Sequence, residues 1–289
     1  MFSKPEKQNI LILREPETAP FPVLVDSPHS GRVYPKDFYY SCSLETLQQT
    51  EDNHLELFLS ELPSKGITTL EAQFPRCYLD VNRAATDIDP ALLSEPWQGE
   101  ISPSIRSEAG IGLVRRLVRP GIPLYSRDLS VAEVQHRIDE YYHPYHDILD
   151  QHLNHLHYHF GQVWYLNMHS MPSSTAHTRS GHPVDFVIGD LNGTTCRRDF
   201  VHALKQYMEH IGYRVSLNDP YKGVELISRH SNPSKARHAI QIEINKALYW
   251  DERNAHLLNT ASQLHTDLNK IFDFCLDFIE KELVLRAAD

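Results

Sequence analysis

The chain has 289 residues, of which 41% are hydrophobic and 23% charged, and its formal net charge is −10. This composition is ordinary for a globular protein with a substantial core. The negative charge argues against a nucleic-acid partner, because contacts to phosphates need a basic face. No apolar stretch approaches the roughly 20 residues that cross a bilayer, so we expect no membrane partner.

The amino-terminal segment and the cysteines predict a cellular location. Residues 1–8 are polar and lack the apolar run of a signal peptide. The four cysteines, at positions 42, 77, 196 and 275, show no CxxC spacing. We therefore expect reduced thiols in a cytoplasmic protein.

Apolar runs bounded by turn residues alternate with segments of helical period, which is typical of an α/β sheet protein. In chain order, the predicted strands cover 21–26, 66–71, 77–81, 122–125, 163–168, 184–189, 213–217 and 239–244. The predicted helices cover 44–62, 131–159, 196–211 and 254–284. Segments 84–121 and 170–183 are expected to be long loops. Since there is no repeat and no convincing linker, residues 1–289 are predicted to form one domain.

Two of the predicted strands lead into a histidine followed by a serine. His29 follows strand 21–26, and His169 follows strand 163–168. Because the carboxyl ends of strands line the ligand crevice in α/β proteins, we expect the two side chains to converge. Paired histidines with a nearby carboxylate are typical of a catalytic zinc site, although histidines that are merely hydrogen-bonded in loops would give the same pattern.

Two further groups of polar residues are candidates for a site. Glu243 lies inside the apolar strand pattern 239–244, where a carboxylate is costly to bury unless it is paired or lines a cleft, so it is a candidate general base or a structural ion-pair partner. Arg76, Asn82 and Arg83 surround another apolar run. Arg83 could grip a carboxylate in bidentate fashion, and Arg76 could polarise a carbonyl, although such residues also commonly fix strand ends.

A dense histidine run at positions 152, 155, 157 and 159 also suggests metal binding. Because 152, 155 and 159 share one helix face and have no carboxylate to orient them, a solvated or inter-helix face is the better interpretation.

Taken together and in this order, the segments resemble the N-formylglutamate amidohydrolase family. The resemblance extends from residue 27 to about residue 252. The matching pieces are residues 27–32, 51–52, 76–83, 142–146, 167–171, 185–190, 218–223, 241–245 and 248–249. That family is similar in turn to zinc carboxypeptidases and to aspartoacylase-type metallohydrolases. With the strand–helix alternation, the resemblance implies a three-layer α/β/α sandwich around a mixed central sheet, like that of the zinc carboxypeptidases.

The resemblance also implies a role for each candidate residue. One divalent metal ion is expected, zinc in the first place, with cobalt or manganese as alternatives. The implied metal ligands are His29, Asp52 and His169. Glu243 is the implied general base and Arg76 the implied carbonyl polariser. The implied carboxylate clamp consists of Asn82 and Arg83.

The metal-ligating acid is where this chain departs from those relatives. They place that acid three residues after the first histidine, where this chain has Gly31 and Arg32. The acid must then come from position 51 or 52. We favour Asp52 and leave Glu51 open, because acids at a predicted helix start are also expected from the helix dipole alone.

The implied activity is metal-dependent hydrolysis of the amide bond of a small N-acyl acidic amino acid. N-formyl-L-glutamate, cleaved to formate and glutamate in histidine degradation, is the first candidate. A metallopeptidase or another N-acyl amino acid deacylase with the same site is an alternative. A non-catalytic binding protein on this fold is a further alternative. The oligomeric state stays open.

Overall fold

The computed structural model describes residues 10–288, with side chains up to residue 284, and its central element is a seven-stranded sheet. The strands are β1 Leu11–Arg14, β2 Val23–Ser27, β3 Thr68–Ala72, β4 Leu117–Arg119, β5 Ile122–Pro123, β6 Val163–Met171, β7 Phe186–Gly189, β8 Val215–Leu217, β9 Arg237–Asn245, β10 Trp250–Asp251 and β11 His256–Leu257.

The central sheet is mixed, and its order is β1-β3-β2-β6-β9-β7-β8. Strands β2, β6 and β9 are parallel neighbours. Strand β7 runs antiparallel to β9 and parallel to β8. The pairs β4–β5 and β10–β11 form two separate antiparallel hairpins.

Seven α-helices accompany the sheet in the described part of the chain. They are α1 Leu44–Gln48, α2 Ile105–Glu108, α3 Val131–Arg137, α4 His143–Phe160, α5 Arg198–His210, α6 Glu225–His230 and α7 Ala261–Ala288. Ser130 caps α3, and Glu133 completes the capping box by accepting from the Ser130 backbone. A π-helical turn over Ile138–Tyr142 connects α3 to α4, so the predicted helix 131–159 is confirmed as a nearly continuous helical segment.

The chain divides into two compact units. The first contains residues 10–14, Pro28–Glu51 and Leu70–Leu149. The second contains Glu15–Ser27, Asp52–Thr69 and residues 150–288. The assignment of residues 1–289 to a single domain stays a prediction.

An aromatic cluster around a buried arginine organises the first unit. The Arg137 guanidinium lies 4.2 Å from the centroid of the Tyr78 ring and also faces Phe38 and Tyr125. Its Nη1 donates to the Tyr78 carbonyl oxygen at 3.1 Å and to the Tyr125 hydroxyl at 2.7 Å. Arg137 therefore anchors the backbone next to the segment that carries the predicted Arg76, Asn82 and Arg83.

In the second unit, the two faces of the central strands differ in chemistry. Successive side chains of a strand point to opposite faces. On β6, Leu166 and Met168 belong to an apolar core that α5 and α7 cover. The intervening Asn167 and His169 lie on the other face, where Tyr165 contacts the ring of His230 from α6. Helices thus lie on both sides of a mixed sheet, and the predicted three-layer α/β/α architecture is confirmed.

The predicted strand 77–81 is wrong. This segment forms consecutive turns, in which the Tyr78 N–H donates to the Pro75 carbonyl oxygen and the Arg83 N–H donates to the Asp80 carbonyl oxygen. Cys77, Tyr78, Leu79 and Val81 are nonetheless fully buried. The apolar run therefore reflects burial of a loop and not extended backbone.

The predicted helix 44–62 is also wrong in its extent. Helix α1 ends at Gln48, and 3₁₀ turns follow over Leu55–Leu59 and Leu62–Lys65. Between α1 and the first 3₁₀ turn, His54 adopts a left-handed conformation with φ of 58°. The interruption places the polar residues Glu51, Asp52 and Asn53 in buried positions, which a continuous amphipathic helix would not do.

The other predicted elements agree with the structure in type and differ mainly at their ends. Helix α7 begins at Ala261 and not at residue 254, because the β10–β11 hairpin precedes it. The predicted loop 84–121 contains the short α2 and β4, and the predicted loop 170–183 contains one 3₁₀ turn, Ser173–Thr175. Over the described residues, no helix combines the length and the apolar character needed to cross a bilayer.

All four cysteines carry free thiols, as predicted. Cys77, Cys196 and Cys275 are buried, whereas Cys42 is partly exposed. Burial raises the pKa of all four thiols.

Gly31, two residues after His29, packs directly against the backbone that follows β3. A Cβ at this position would lie 2.4 Å from the carbonyl carbon of Gln73 and 2.5 Å from the carbonyl oxygen of Phe74. Backbone atoms cannot yield at such distances without a shift of the chain. Gly31 therefore fixes the path of the segment that carries His29.

We expect Gly31→Ala to lower the free energy of unfolding by about 3 kcal/mol, because the added methyl group overlaps fixed backbone. Gly121→Ala is the control, since a Cβ there meets nothing within 4 Å and only the φ of 80° is unfavourable. The control should cost about 1 kcal/mol. Urea unfolding measures both, and equal losses in the two variants would contradict the close approach at Gly31.

Candidate functional site

His169, on β6, lies at hydrogen-bonding distance from two buried side-chain oxygens. Its Nε2 donates to Asn167 Oδ1 at 2.8 Å. Its Nδ1 lies 3.1 Å from Asp52 Oδ2. His169, Asn167 and Asp52 are all buried. The imidazole is therefore held in place by contacts at both nitrogens.

The Asn167 amide is in turn held by Asp26 on the neighbouring strand β2. Asn167 Nδ2 donates to Asp26 Oδ1 at 2.7 Å, and the Tyr165 hydroxyl donates to Asp26 Oδ2 at 2.7 Å. Asp26 and Asn167 are directly opposite each other in the β2–β6 pairing. The register of the parallel strands thus aligns the whole row.

Glu243, on β9, is directly opposite His169 in the β6–β9 pairing. Gln241 Nε2 donates to Glu243 Oε1 at 2.8 Å. Just after the strand, the buried Lys246 Nζ donates to Asn53 Oδ1 at 3.0 Å. Glu243 is therefore a buried carboxylate on the same sheet face as His169.

In the first unit, Asp80 connects the predicted site residues of two segments. His29 Nε2 donates to Asp80 Oδ1 at 2.7 Å, and Arg76 Nη2 donates to Asp80 Oδ2 at 2.8 Å. The Asn82 backbone N–H donates to Asp80 Oδ1 at 3.0 Å, and Arg115 Nη2 lies 3.9 Å from Asp80 Oδ2. One carboxylate thus orients an imidazole, an arginine and the backbone before Arg83.

Electrostatics keeps Asp80 ionised although it is completely buried. Burial by itself would raise the pKa of this carboxyl group. The charges of His29 and Arg76 and the hydrogen bond from His29 outweigh burial, so the pKa of Asp80 lies well below its usual range. Asp80 is therefore a fixed negative charge within a largely basic cluster.

Arg83 is a buried cation in that cluster. It is only 7% exposed, and its Nε has no hydrogen-bond partner among the described residues. Burial lowers the pKa of Arg83 to about 10, and the nearby charges of Arg106, Arg76 and Arg115 act in the same direction, against the attraction of Asp80. A guanidinium group in this state is suited to bind an anion.

The three predicted metal ligands lie close together. His29, Asp52 and His169 each offer one ligand atom, all three residues are buried, and the ligand atoms lie within 4.8 Å of one another. Two imidazoles and one carboxylate suit zinc and neighbouring divalent ions. Each imidazole donates through Nε2 to a side-chain oxygen, which is the support that metal-binding histidines ordinarily have at the nitrogen away from the metal. The residues present therefore fit a divalent cation.

Asp52 and Glu51, the two candidates for the metal-ligating carboxylate, have different contacts. Asp52 contacts His169, whereas Glu51 accepts a hydrogen bond from the Tyr34 hydroxyl. Burial, together with this bond to Glu51, raises the pKa of Tyr34. The geometry is consistent with Asp52 as the ligand, although the assignment stays a prediction.

Sequence reasoning identified Glu243 as a polar residue inside an apolar run but did not apply the same test elsewhere. Asp26, Asn167 and Gln241 show the same signal, since each interrupts an apolar strand pattern. Asp80 lies within the predicted strand 77–81 and is not among the predicted site residues, and neither are Lys246 and Arg115. No local signal in the sequence reveals these last two as buried.

The histidine run on α4 has ordinary structural contacts. The His155 and His159 rings pack against each other at 4.3 Å, and His157 Nε2 donates to the Lys235 carbonyl oxygen at 2.7 Å. His152 Nδ1 lies 3.8 Å from a Glu15 carboxylate oxygen. These contacts agree with a solvated or inter-helix face.

The chain is similar in sequence to known proteins. Residues 21–250 match the sequence model of a family described as N-formylglutamate amidohydrolase. The N-formylglutamate deformylase of Pseudomonas putida is 26% identical over 236 residues, which cover 80% of this chain and 82% of that protein. The N-formylglutamate deformylase of Pseudomonas aeruginosa is 27% identical over 237 residues, with coverage of 80% and 83%.

A solved structure extends the likeness to three dimensions. The crystal structure of N-formylglutamate amidohydrolase from Ralstonia eutropha JMP134 superimposes with a TM-score of 0.91 and 38% sequence identity. The match covers 95% of this chain and all of that one.

We expect Asp80→Asn to lower the free energy of unfolding by about 3 kcal/mol, because it removes the buried charge that compensates the partly buried Arg76. Asp273→Asn is the control, since Asp273 is 55% exposed and pairs with Lys65. Loss of an exposed pair should cost less than about 1 kcal/mol. Urea unfolding compares the two, and equal small losses would mean that Asp80 does not hold the cluster together.

Proposed function

Because the chain belongs to the N-formylglutamate amidohydrolase family, we propose that it hydrolyses the amide bond of an N-acyl acidic amino acid, with N-formyl-L-glutamate as the substrate. The products are formate and L-glutamate. The observation that carries the proposal is the buried group of His29, Asp52 and His169. In the same proposal, the enzyme is a single catalytic domain that works in the cytoplasm in histidine degradation.

The proposed cofactor is one divalent metal ion, zinc in the first place, with cobalt or manganese as alternatives. His29 and His169 would bind it through Nδ1, because the Nε2 atoms donate to Asp80 and Asn167. Asp52 would supply a carboxylate oxygen. When bound, such an ion lowers the pKa of water and polarises a carbonyl group.

Glu243 is the proposed general base. Its buried carboxylate, oriented by the amide of Gln241, takes one proton from the attacking water. The water oxygen forms a bond to the formyl carbon, and the carbon–nitrogen bond breaks. Glu243 then delivers the proton to the leaving nitrogen, so that a neutral amine departs in place of an amide anion.

The arginines of the first unit have two proposed roles. Arg76, held by Asp80, stabilises the negative charge that develops on the formyl oxygen. Arg83 and Asn82 bind a substrate carboxylate. The buried Arg83 supports this role, since a carboxylate would supply both the charge and the acceptors suited to its guanidinium.

The same site would suit a metallopeptidase or a deacylase for other acyl groups. The R. eutropha protein, which is 38% identical over nearly the whole chain, is named for N-formylglutamate, and this favours the formyl substrate. A panel of N-acyl amino acids and short peptides separates these activities.

The first test is release of glutamate from N-formyl-L-glutamate before and after treatment with a chelator. We expect the chelator to abolish turnover, and zinc, cobalt or manganese to restore it, because an ion held by His29, Asp52 and His169 would lower the pKa of the attacking water. Turnover that survives complete removal of metal would contradict the metal-dependent mechanism. Stoichiometric metal without turnover would exclude the substrate and keep the site.

Glu243→Gln is the matched variant for this assay. It removes the base and leaves His29, Asp52 and His169 in place, so metal content should stay stoichiometric while turnover falls at least about 100-fold. A variant that keeps turnover within a few-fold of the original would remove Glu243 from the mechanism.

We expect Arg83→Met to lower kcat/KM for N-formyl-L-glutamate at least about 100-fold, because the substrate carboxylate loses a charged, bidentate partner. Arg83→Lys should recover part of the loss, since it keeps the charge but not the fork. Arg119→Met, at an exposed arginine, is the control and should change kcat/KM less than about twofold. Equal effects of Arg83→Met and the control would exclude Arg83 as the residue that binds the substrate carboxylate.

A further inference from the structure

The helical segment that runs from α3 through the π-helical turn into α4 holds the turns over residues 75–83. Arg137, the last residue of α3, donates through Nη1 to the Tyr78 carbonyl oxygen at 3.1 Å. His146, on α4, donates through Nε2 to the Val81 carbonyl oxygen at 3.0 Å. All four residues are buried. Two carbonyl groups of one loop are therefore bound by side chains of one helical segment.

Aromatic rings pack around these two hydrogen bonds. The centroid of the Tyr141 ring lies 4.9 Å from that of Tyr78 and 5.1 Å from that of Phe74. The Tyr142 ring lies 4.2 Å from the imidazole of His146, centroid to centroid. Tyr142 is fully buried, so the imidazole has little room to turn away from the loop.

The π-helical turn Ile138–Tyr142 brings Arg137 and His146 towards the same side of the segment. The turn is closed by the His143 N–H, which donates to the Ile138 carbonyl oxygen. In a regular α-helix, residues nine positions apart would lie about 180° apart around the axis. A π-helical turn takes in one extra residue, which reduces this angle by about 100°. The two side chains that bind the loop are thereby only about 80° apart.

Pro144 gives a reason in the sequence for this irregular turn. Proline has no N–H to donate, and in a regular α-helix its ring would clash with the carbonyl group four residues earlier. Irregularities in helices are typical at proline for this reason. Both Pro144 and His146 belong to the segment 142–146, one of those by which the chain resembles its family, and neither has a role in the proposed chemistry.

We infer that His146 is a positioning residue for substrate binding. Through the Val81 carbonyl oxygen it holds the backbone from which Asn82 and Arg83 reach the substrate carboxylate. On the other side of the same peptide unit, the Asn82 N–H donates to Asp80 Oδ1 at 3.0 Å. Both hydrogen-bonding groups of this peptide unit are bound by buried side chains, which fixes the direction of the chain that follows.

The inference rests on the proposed function, since it takes Asn82 and Arg83 as the residues that bind the substrate carboxylate. Such residues bind the substrate and the transition state alike, so their displacement raises KM and leaves kcat nearly unchanged. Loss of His146 should therefore change KM. Loss of Asp80, which also holds His29 and Arg76, would lower kcat as well.

Two substitutions at position 146 separate the hydrogen bond from the remainder of the side chain. His146→Leu removes the donor, whereas His146→Gln keeps a side-chain N–H near the position of Nε2. Leu156→Ala is the control for a merely structural effect. Leu156 is buried on the same helix, about 15 Å further along its axis.

Steady-state kinetics with N-formyl-L-glutamate is the first readout. We expect His146→Leu to raise KM about tenfold and to change kcat less than about twofold. His146→Gln should keep KM within about threefold of the original. Leu156→Ala should lower the urea midpoint and leave KM unchanged.

Amide hydrogen exchange of peptides covering residues 76–83, followed by mass spectrometry, is the second readout and needs no turnover. Exchange should be about tenfold faster in His146→Leu than in the original protein, and nearly unchanged in His146→Gln and Leu156→Ala. If His146→Leu does not fold, His146→Asn takes its place, because its shorter amide does not extend to the position of Nε2.

Three results would overturn the inference. The first is an unchanged KM and unchanged exchange in His146→Leu. The second is a glutamine variant as impaired as the leucine variant, which would assign the effect to ring packing. The third is an equal rise of KM in Leu156→Ala, which would assign it to stability. If the original protein does not turn over N-formyl-L-glutamate, the proposed function is rejected, and hydrogen exchange alone decides whether His146 holds the loop.

Discussion

The central strands of the second unit are buried on both faces, so every polar side chain on them needs a partner within the protein. On β2, β6 and β9 the apolar face packs against helices, and the opposite face carries Asp26, Asn167, His169, Gln241 and Glu243. Burying such groups without hydrogen bonds would cost several kcal/mol each. The strand register places them opposite one another, and the resulting contacts hold the candidate catalytic side chains in one arrangement before any substrate arrives.

In the first unit, several positively charged side chains lie close together and need a shared negative charge. Asp80 is the point at which His29, Arg76 and the backbone before Arg83 meet. The surrounding backbone turns instead of pairing in a sheet, and this turn allows one carboxylate to reach all of them. Arg137 stabilises the turns over residues 75–83, because its guanidinium donates to the Tyr78 carbonyl oxygen and packs on the Tyr78 ring. Packing in this unit thus determines where the basic side chains lie.

The sequence was sufficient to predict the sheet, its long helices and the family, because apolar periodicity and the order of the polar segments survive without tertiary context. It was insufficient where buried residues do not form the regular strand or helix that their apolar pattern predicts. Residues 77–81 are as apolar as a strand because they form a buried turn, and the helix predicted over 44–62 is interrupted at residues 51–53, whose polar side chains are buried.

Asp26 and Asn167 could have been identified as site residues from the sequence, since each interrupts an apolar run. Arg115 and Lys246 could not, because their burial depends on residues distant in sequence. The roles of the individual site residues stay predictions.

The distribution of the four thiols has a practical consequence. Three are buried, so reagents have little access to them in the folded protein. Cys42 alone among the four is partly exposed. A maleimide dye added to the native protein would therefore attach at one position, a few residues before α1. The protein as it stands offers a single-site fluorescent reporter, without the removal of any other cysteine.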